Sequence, residues 1–230
     1  MIYGLILLVI ALASAVGAAR IGGWGLVLLW PAMAFAAVGA GYCGLGPAVF
    51  GKRTTGKTSP VALVVLLPYF LITWSIWHVW RLFFGSPASA QLTDLVSIGR
   101  RLLPGEFPVP VTVVIDLTCE FYRSRPPGSG TGYLCLPILD AQTPHYDDLM
   151  EVVERIAKAT RPTYVHCANG RGRTALVAAS MLLVTGKAPD AETALAAIRE
   201  LRPGARLSRS QAHMLERVAA EAPRTLIGSA

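Results

Sequence analysis

Long apolar stretches, almost free of charge, fill the first third of the chain. They cover about residues 2–19, 24–43 and 61–82, and each is close to the roughly 20 residues that an α-helix needs to cross a bilayer. The third ends in a tryptophan-rich stretch at Trp80, which is typical of a membrane–water interface. A cleaved signal peptide is the alternative for the first stretch, but no basic residue precedes its apolar core. We therefore predict a membrane region at 1–84 with three transmembrane helices.

A different pattern follows a short linker at 85–91, which is rich in serine, alanine and proline. A run rich in β-branched residues predicts a buried strand at 111–117, and we predict two more strands at 133–136 and 163–166. Apolar residues at helical spacing predict helices, around 149–156 and at 175–184, 191–201 and 211–219. Strands that alternate with helices indicate an α/β domain at 92–230, in which a central sheet with parallel strands is flanked by helices.

Composition and charge favour membrane lipid as a partner and argue against nucleic acid. Apolar residues make up 53% of the chain and charged residues 15%, and the net charge is +7. Before residue 86 there are five basic and no acidic residues, whereas the rest carries 16 basic and 14 acidic residues. Because basic residues collect beside membrane helices, the positive charge needs no nucleic-acid partner to explain it.

One segment of the membrane region, Gly51–Thr58, fits the G-x-x-x-x-G-K-T pattern of nucleotide-binding loops. That pattern binds phosphates where it joins a strand to a helix, whereas this segment joins two apolar stretches. Pro60 follows almost at once, and no acidic residue that could hold magnesium precedes Asp94. We expect a solvated basic loop that binds no nucleotide.

The four cysteines, at positions 43, 119, 135 and 167, are too few and too scattered for a disulfide framework. We expect them to be reduced. Paired Cys or His spacing of the kind that holds zinc does not occur around Cys167 or His166. We therefore do not predict a zinc site at these residues.

The stretch YVHCANGRGRT, residues 164–174, carries the candidate chemistry. It joins a predicted strand to a predicted helix, so that backbone N–H groups and the positive helix terminus face one point, where an anion can bind. Gly170 and Gly172 let the backbone curl around that anion, and Arg173 can grip two phosphate oxygens at once. The same donors would stabilise a thiolate at Cys167, which could then attack a phosphate monoester.

Residues 166–174, HCANGRGRT, resemble the His-Cys-x-x-Gly-x-x-Arg-Ser/Thr signature of the protein tyrosine phosphatase superfamily, in its dual-specificity branch. The resemblance extends over roughly 92–220 and includes 111–117, 133–140 and the Arg202-Pro203-Gly204 segment. It implies a dual-specificity-phosphatase-like fold and a cysteine-dependent phosphoric monoester hydrolase without a cofactor.

The resemblance also implies roles for single residues. Cys167 would be the nucleophile, Arg173 would bind phosphate and stabilise the transition state, and Thr174 would help the thiolate to leave. His166 would orient the loop and tune the thiol. Asp140 aligns with the general acid and base. The alternative is that Asp140 is a turn or helix-capping carboxylate, with Asp147 or Asp148 as the substitute acid.

The phosphate-binding loop implied by the resemblance consists of Ala168, Asn169, Gly170, Arg171 and Gly172. Arg171 adds a positive charge that some phosphoinositide-directed relatives share.

Three residues outside the loop are candidate substrate contacts, each with an alternative. Arg123 and Arg125 either contact the substrate or face solvent. Gln211 either helps to place water or occupies a surface position on a helix.

These features together predict a membrane-anchored phosphatase with a phosphocysteine intermediate. Its substrate is either a phosphorylated protein or a phospholipid such as phosphatidylglycerophosphate or a phosphoinositide. An inactive phosphate-binding membrane scaffold is the alternative from another class. We expect an integral protein of a bacterial plasma (inner) membrane. Because a free catalytic thiol survives best in a reducing compartment, we expect its catalytic domain to lie in the cytoplasm.

Overall fold

The computed structural model of the protein describes residues 2–83, 87–107, 110–123 and 130–221. The chain divides into two units, each with its own internal packing. The N-terminal unit contains residues 1–85 together with Cys119–Tyr122, and the C-terminal unit contains residues 86–118 and 123–230.

The N-terminal unit is helical. Its helices are α1 (Ile2–Ile21), α2 (Leu29–Ala40), α3 (Pro60–Val65) and α4 (Leu67–Phe83), and shorter helical turns at Gly23–Leu28, Gly41–Leu45 and Gly46–Phe50 flank α2.

Helices α1 and α2 pack closely through small residues. The buried residues of α1 are Gly4, Ala11 and Ala18, one every seventh position. A Cβ atom on Gly4 would lie 2.8 Å from Cys43 Sγ, and one on Gly39 would lie 3.2 Å from the carbonyl oxygen of Gly4. Small residues of this kind let backbones approach and are typical of helix pairs in membranes.

Among the described residues, Ile2–Ile21 and Gly23–Phe50 are the helical segments long and apolar enough to cross a membrane. The predicted third helix at 61–82 is not continuous, because the helix breaks at Leu66 between α3 and α4. Pro68 explains the break, since it has no N–H to donate to the carbonyl of Val64. The indole Nε1 of Trp30 donates to that carbonyl oxygen instead, at 3.0 Å.

The segment Cys119–Tyr122 packs on α4 within the N-terminal unit. The indole of Trp74 donates to the carbonyl oxygen of Glu120 at 3.0 Å, and its ring lies edge-on to Tyr122. Phe121 contacts the ring of Trp77, with 5.5 Å between the ring centroids. Part of the tryptophan-rich stretch that indicated a membrane interface therefore packs against protein.

The segment Gly51–Thr58 does not have the geometry of a nucleotide-binding loop. It leads from a helical turn into α3 and closes on itself through a bridge between Lys52 and Thr58. Arg53 and Lys57 are exposed, as expected for a solvated basic loop, but Lys52 is buried. A strand does not precede the segment within the described residues 2–83, so the arrangement that orients phosphate-binding N–H groups is missing there.

The C-terminal unit is built on a five-stranded sheet in the order β1-β2-β5-β3-β4. Strands β1 and β2 are antiparallel, and the other neighbouring pairs are parallel. The strands are β1 (Ser89–Thr93), β2 (Val96–Arg100), β3 (Val113–Thr118), β4 (Gly132–Ile138) and β5 (Thr163–Cys167). The helices are α5 (Tyr146–Ala157), α6 (Arg173–Val184), α7 (Ala191–Leu201) and α8 (Arg209–Glu221). The predicted α/β architecture, with parallel strands flanked by helices, is confirmed.

Strands β1 and β2 do not appear among the predicted elements, and β1 begins at Ser89, inside the stretch predicted as a linker. The sequence of β1, SAQLT, is short and largely polar, so its composition gives little strand signal. Its pairing with β2, in which Ser89 lies opposite Gly99, makes it a strand.

Helix α6 lies at the centre of the unit and positions the site. Every one of its residues is buried, since it packs on β5 and contacts α5, α7 and α8. A helix that is apolar all round belongs in a core. The N-terminus of α6, which begins at Arg173, is therefore fixed by packing on all sides.

Candidate active site

The loop between β5 and α6, residues 168–172, curls around the sulfur of Cys167. Cys167 ends β5 with 3% of its surface exposed, and the N–H of Gly170 donates to its Sγ at 3.2 Å. Gly170 has a φ of +67°. A Cβ atom there would lie 2.4 Å from the carbonyl carbon of Gly99, so glycine is required both for the turn and for its approach to β2.

The carbonyl groups of this loop are held from outside. The N–H of Arg101 donates to Ala168 O at 3.0 Å. The Nε of Arg202 donates to Gly170 O at 3.1 Å, and its Nη2 donates to Asn169 O at 3.5 Å. Tying the carbonyls outward leaves the N–H groups to face an anion.

Arg202 is a functional residue that the sequence analysis missed, because it entered only as part of a resembling segment. Its side chain is buried, and its Nη1 donates to the carbonyl oxygen of Pro87 at 2.9 Å. Burial lowers the pKa of Arg202 below its ordinary value, but a guanidinium keeps its charge at neutral pH. Arg202 therefore brings a fixed positive charge behind the loop.

Arg173, the first residue of α6, has only 1% of its surface exposed. Its Nη1 donates to Ile138 O at 2.8 Å and to Leu117 O at 3.4 Å. These carbonyls stand at the C-terminal ends of β4 and β3, so the sheet sets the plane of the guanidinium. That orientation suits a two-pronged grip on phosphate oxygens.

Asp140 follows β4 and points at the same arginine. Its Oδ1 lies 3.3 Å from Arg173 Nη2, although 72% of its side chain is exposed. Asp147 and Asp148, the alternative acids, are exposed residues of the first turn of α5. The ion pair supports Asp140 over both of them.

His166 lies behind the cysteine in a buried polar network. Its Nδ1 is 3.2 Å from Cys167 O and 3.9 Å from Asp116 Oδ1. Asp116 is fully buried and accepts hydrogen bonds from Thr118 N at 2.8 Å and from the hydroxyl of Tyr133. The pKa of Tyr133 is raised, first by burial and then by the charge of Asp116. The network fixes the ring of His166, and the tautomer with the proton on Nδ1 donates to the cysteine carbonyl.

Thr174, the remaining residue of the signature, is fully buried, and its Oγ1 donates to Gly99 O at 3.4 Å. Arg171, in the loop, lies against Gly204, where a Cβ atom would be 2.9 Å from its Nε. The helper role of Thr174 and the substrate role of Arg171 stay predictions.

The candidate substrate contacts have different outcomes. Arg123 is exposed, and its guanidinium lies 4.5 Å from the centroid of the Tyr133 ring. Arg125 lies outside the described residues. Gln211 is not a surface residue, since 1% of it is exposed. Its Nε2 donates to the carbonyl oxygen of Gln142, at 3.0 Å, which is a structural contact.

Comparison with known proteins agrees with this geometry. Residues 109–187 match the family model described as Tc-R-P, a polymorphic toxin system DSP-PTPase phosphatase. The chain is 36% identical over 69 residues to Cyclin-dependent kinase inhibitor 3 of Rattus norvegicus and 38% identical over 69 residues to that of Homo sapiens. Each match covers 29% of this chain, which spans about a third (32%) of the length of these curated relatives.

Solved structures show the fold. The crystal structure of PTPMT1 in complex with PI(5)P is similar with a TM-score of 0.51 and 22% identity, covering 59% of this chain and 97% of that one. Human DUSP28 is similar with a TM-score of 0.51 and 18% identity, covering 59% of this chain and 96% of that one.

The C-terminal unit therefore carries a phosphatase domain of the dual-specificity type. The family predicted from the HCANGRGRT signature is confirmed by the matching family model. The predicted enzyme class, a phosphoric monoester hydrolase, is supported by the same match, and the structural neighbours show the fold.

Proposed function

We propose that this chain is a membrane-anchored, cysteine-dependent phosphatase that hydrolyses phosphate monoesters through a phosphocysteine. The observation that carries the proposal is the N–H of Gly170 held 3.2 Å from Cys167 Sγ, at the base of the loop. Arg173 and Asp140 meet beside that loop, 3.3 Å apart. This arrangement supports the proposal that the nucleophile, the phosphate-binding arginine and the acid belong to one site.

In the first step, the thiolate of Cys167 attacks phosphorus. A sulfur–phosphorus bond forms while the bond from phosphorus to the leaving oxygen breaks. Protonated Asp140 gives its proton to that oxygen. Arg173 and the loop N–H groups neutralise the charge on the other phosphate oxygens as it develops.

In the second step, water attacks the phosphocysteine. The carboxylate of Asp140 takes a proton from the water, and the sulfur–phosphorus bond breaks. Cys167 leaves as a thiolate, for which the hydroxyl of Thr174 is the proposed donor. Inorganic phosphate is released, and the acid and the thiolate are both restored.

A phosphorylated protein is the first proposed substrate class, as in the dual-specificity branch. A phospholipid monophosphate is the second, because apolar helices would hold the site near lipid. The similarity to PTPMT1, which was crystallised with PI(5)P, favours testing a phosphoinositide in that class.

The proposal of membrane anchoring rests on the exposed apolar face of α1. Leu5, Val9 and Leu12 are 55%, 66% and 65% exposed. Burying such surface stabilises by about 25 cal/mol per Å², so a bilayer is the natural environment for this face. The proposed location is a bacterial inner membrane with the C-terminal unit in the cytoplasm, and labelling of Cys167 from outside intact cells would contradict it.

Phosphate release by the detergent-purified chain tests the function. Phosphotyrosine and phosphoserine peptides are compared with short-chain phosphatidylinositol and phosphatidylglycerol monophosphates. Cys167→Ser abolishes release if Cys167 is the nucleophile, whereas the matched variant Cys43→Ser, in the N-terminal unit, keeps it. Unchanged turnover by Cys167→Ser refutes the proposal. Tight phosphopeptide binding without release supports a scaffold instead.

A further inference from the structure

The residue after the proposed general acid has an unusual backbone. Ala141 has a φ of +58° and is the one non-glycine residue with positive φ in the described part of the chain. Residues with a Cβ atom avoid this conformation, and where it persists the surroundings impose it. Contacts from outside the loop must therefore hold residues 139–142, the acid loop, in this conformation.

The holding contacts come from the start of α8. The carbonyl oxygen of Ala141 accepts hydrogen bonds from the hydroxyls of Ser208, at 2.8 Å, and Ser210, at 3.1 Å. The neighbouring carbonyl of Gln142 accepts from Nε2 of Gln211 at 3.0 Å. Side chains of one short turn thus bond to successive carbonyls of the acid loop.

That turn, Ser208–Gln211, is itself rigid. The N–H of Gln211 donates to Ser208 Oγ at 3.2 Å, and the N–H of Ser208 donates back to Gln211 Oε1 at 3.1 Å. This reciprocal pair is the capping box that fixes a helix N-terminus. Gln211 also touches the phosphate loop, since a Cβ atom on Gly172 would lie 3.1 Å from its Oε1.

The side chain of Asp140 cannot hold its own position by packing, because 72% of it is exposed. Its distance to Arg173 must be set by the backbone that carries it. We propose that Ser208, Ser210 and Gln211 are positioning residues, which hold Asp140 over the phosphate loop before substrate binds. This inference rests on the proposed function, because it assigns the acid of the same reaction.

Leaving-group dependence distinguishes this role from a merely structural one. 4-Nitrophenol is acidic enough to leave without a proton, whereas phenol needs one. With phenyl phosphate we expect Ser210→Ala to lower kcat by about tenfold or more, within the roughly 10²–10⁴-fold that a general acid contributes. With 4-nitrophenyl phosphate we expect a change below about twofold. Ser210→Thr, which keeps the hydroxyl, should restore phenyl phosphate turnover.

A double-mutant cycle gives the second readout. In an Asp140→Asn background there is no acid to position, so adding Ser210→Ala should leave kcat for phenyl phosphate unchanged. Ser97→Ala serves as the matched control, since the hydroxyl of Ser97, on β2, donates to Gln91 Oε1, on β1, at 2.8 Å and lies away from the acid loop. It should change neither substrate's turnover.

Each outcome decides the matter. If Ser210→Ala lowers kcat equally for both substrates, or lowers it further in the Asp140→Asn background, the positioning role is wrong. The phosphatase proposal is not affected by either result. If Cys167→Ser still hydrolyses both aryl phosphates, the proposed function is wrong. It is also wrong if the wild-type chain hydrolyses neither of them. In both cases the positioning role is refuted as well.

Discussion

Gly170 is the residue whose replacement tests the site geometry most directly. Its φ of +67° and its approach to β2 leave no room for a side chain. In Gly170→Ala the new Cβ would lie 2.4 Å and 2.6 Å from the carbonyl carbon and oxygen of Gly99, and 2.7 Å from Arg100 N. All three are backbone atoms of a paired strand, so no side-chain rotation can relieve the overlap.

Two costs add in this variant. The left-handed conformation costs a residue with a Cβ atom about 1–2 kcal/mol, and overpacking of a close-packed site costs about 1–3 kcal/mol. We expect the C-terminal unit to lose about 2–5 kcal/mol of its free energy of unfolding. In the proposed mechanism Cys167 reacts as a thiolate, so moving the Gly170 N–H away from its sulfur would also remove a hydrogen bond to a charged group, worth about 1.5–3 kcal/mol. That loss lowers kcat/KM by about 10- to 150-fold.

The stability assay must report the C-terminal unit alone. All five tryptophans precede residue 85, so their fluorescence reports the other unit. Hydrogen exchange of peptides from α6, which is buried throughout, gives the free energy of opening of the core. A loss of about 2 kcal/mol or more appears there as protection lowered by roughly 30-fold or more.

Two glycines serve as controls for the separate costs. Gly130 has a φ of +99° with open space around a Cβ atom, so Gly130→Ala carries the backbone cost without the overlap. Gly105→Ala carries neither cost, because no atom of the described residues lies within 4 Å of a Cβ atom there and its φ is outside the left-handed region. If Gly170→Ala loses no more stability than Gly130→Ala and keeps its kcat/KM, it is wrong that the backbone of β2 leaves no room for a Cβ atom at Gly170.

Two further predictions follow from buried groups. Arg202→Lys keeps the charge but cannot donate to both loop carbonyls, so kcat/KM should fall about tenfold or more. An unchanged kcat/KM would show that the phosphate loop keeps its conformation without the hydrogen bonds of Arg202. Burial, reinforced by Asp116, raises the pKa of Tyr133 above its usual 10.0, so the folded chain keeps a proton that the unfolded chain releases at high pH. Stability from this group is complete below about pH 10 and falls above it by about 1.4 kcal/mol per pH unit. Hydrogen exchange of α6 between pH 9 and 11 should show this slope, reduced in Tyr133→Phe; an identical slope in both proteins would refute the assignment.

The phosphate loop could be predicted from sequence because its signal is local. A β-branched strand, two glycines and an apolar helix follow one another within residues 163–184, and that order alone turns the N–H groups inward. Asp140 could be placed for a similar reason, since it directly follows a strand that ends at the same edge of the sheet. The break at Leu66 also had a local signal, the proline two residues later, which the apolar pattern masked.

The supports of the site could not be predicted, because their partners are backbone carbonyls far away in sequence. Arg202 bonds to carbonyls 32 and 33 residues earlier, and Ser210 bonds to one 69 residues earlier. Every residue has a backbone carbonyl, so the sequence does not show which carbonyl accepts a hydrogen bond from Arg202 or Ser210. Gln211 shows the same limit: its spacing from Ser208 fits a capping box, but only the fold brings its amide to Gln142.

The charges around Cys167 explain why a phosphate monoester suits this site. Burial is the main cause that lowers the pKa of Arg202; Tyr164 and Cys167 act to raise it, and the positive charges of Arg100 and Arg171 act to lower it. Arg100 is already paired with Glu106 at 2.9 Å, but Arg171 and Arg202 still place positive charge at the loop, so the energy released on binding an anion should grow with the charge of the ligand. A monoester carries about −1.5 to −2 at neutral pH, whereas a diester carries a single charge. We therefore expect the proposed site to bind monoesters more tightly than diesters before any step of the chemistry begins.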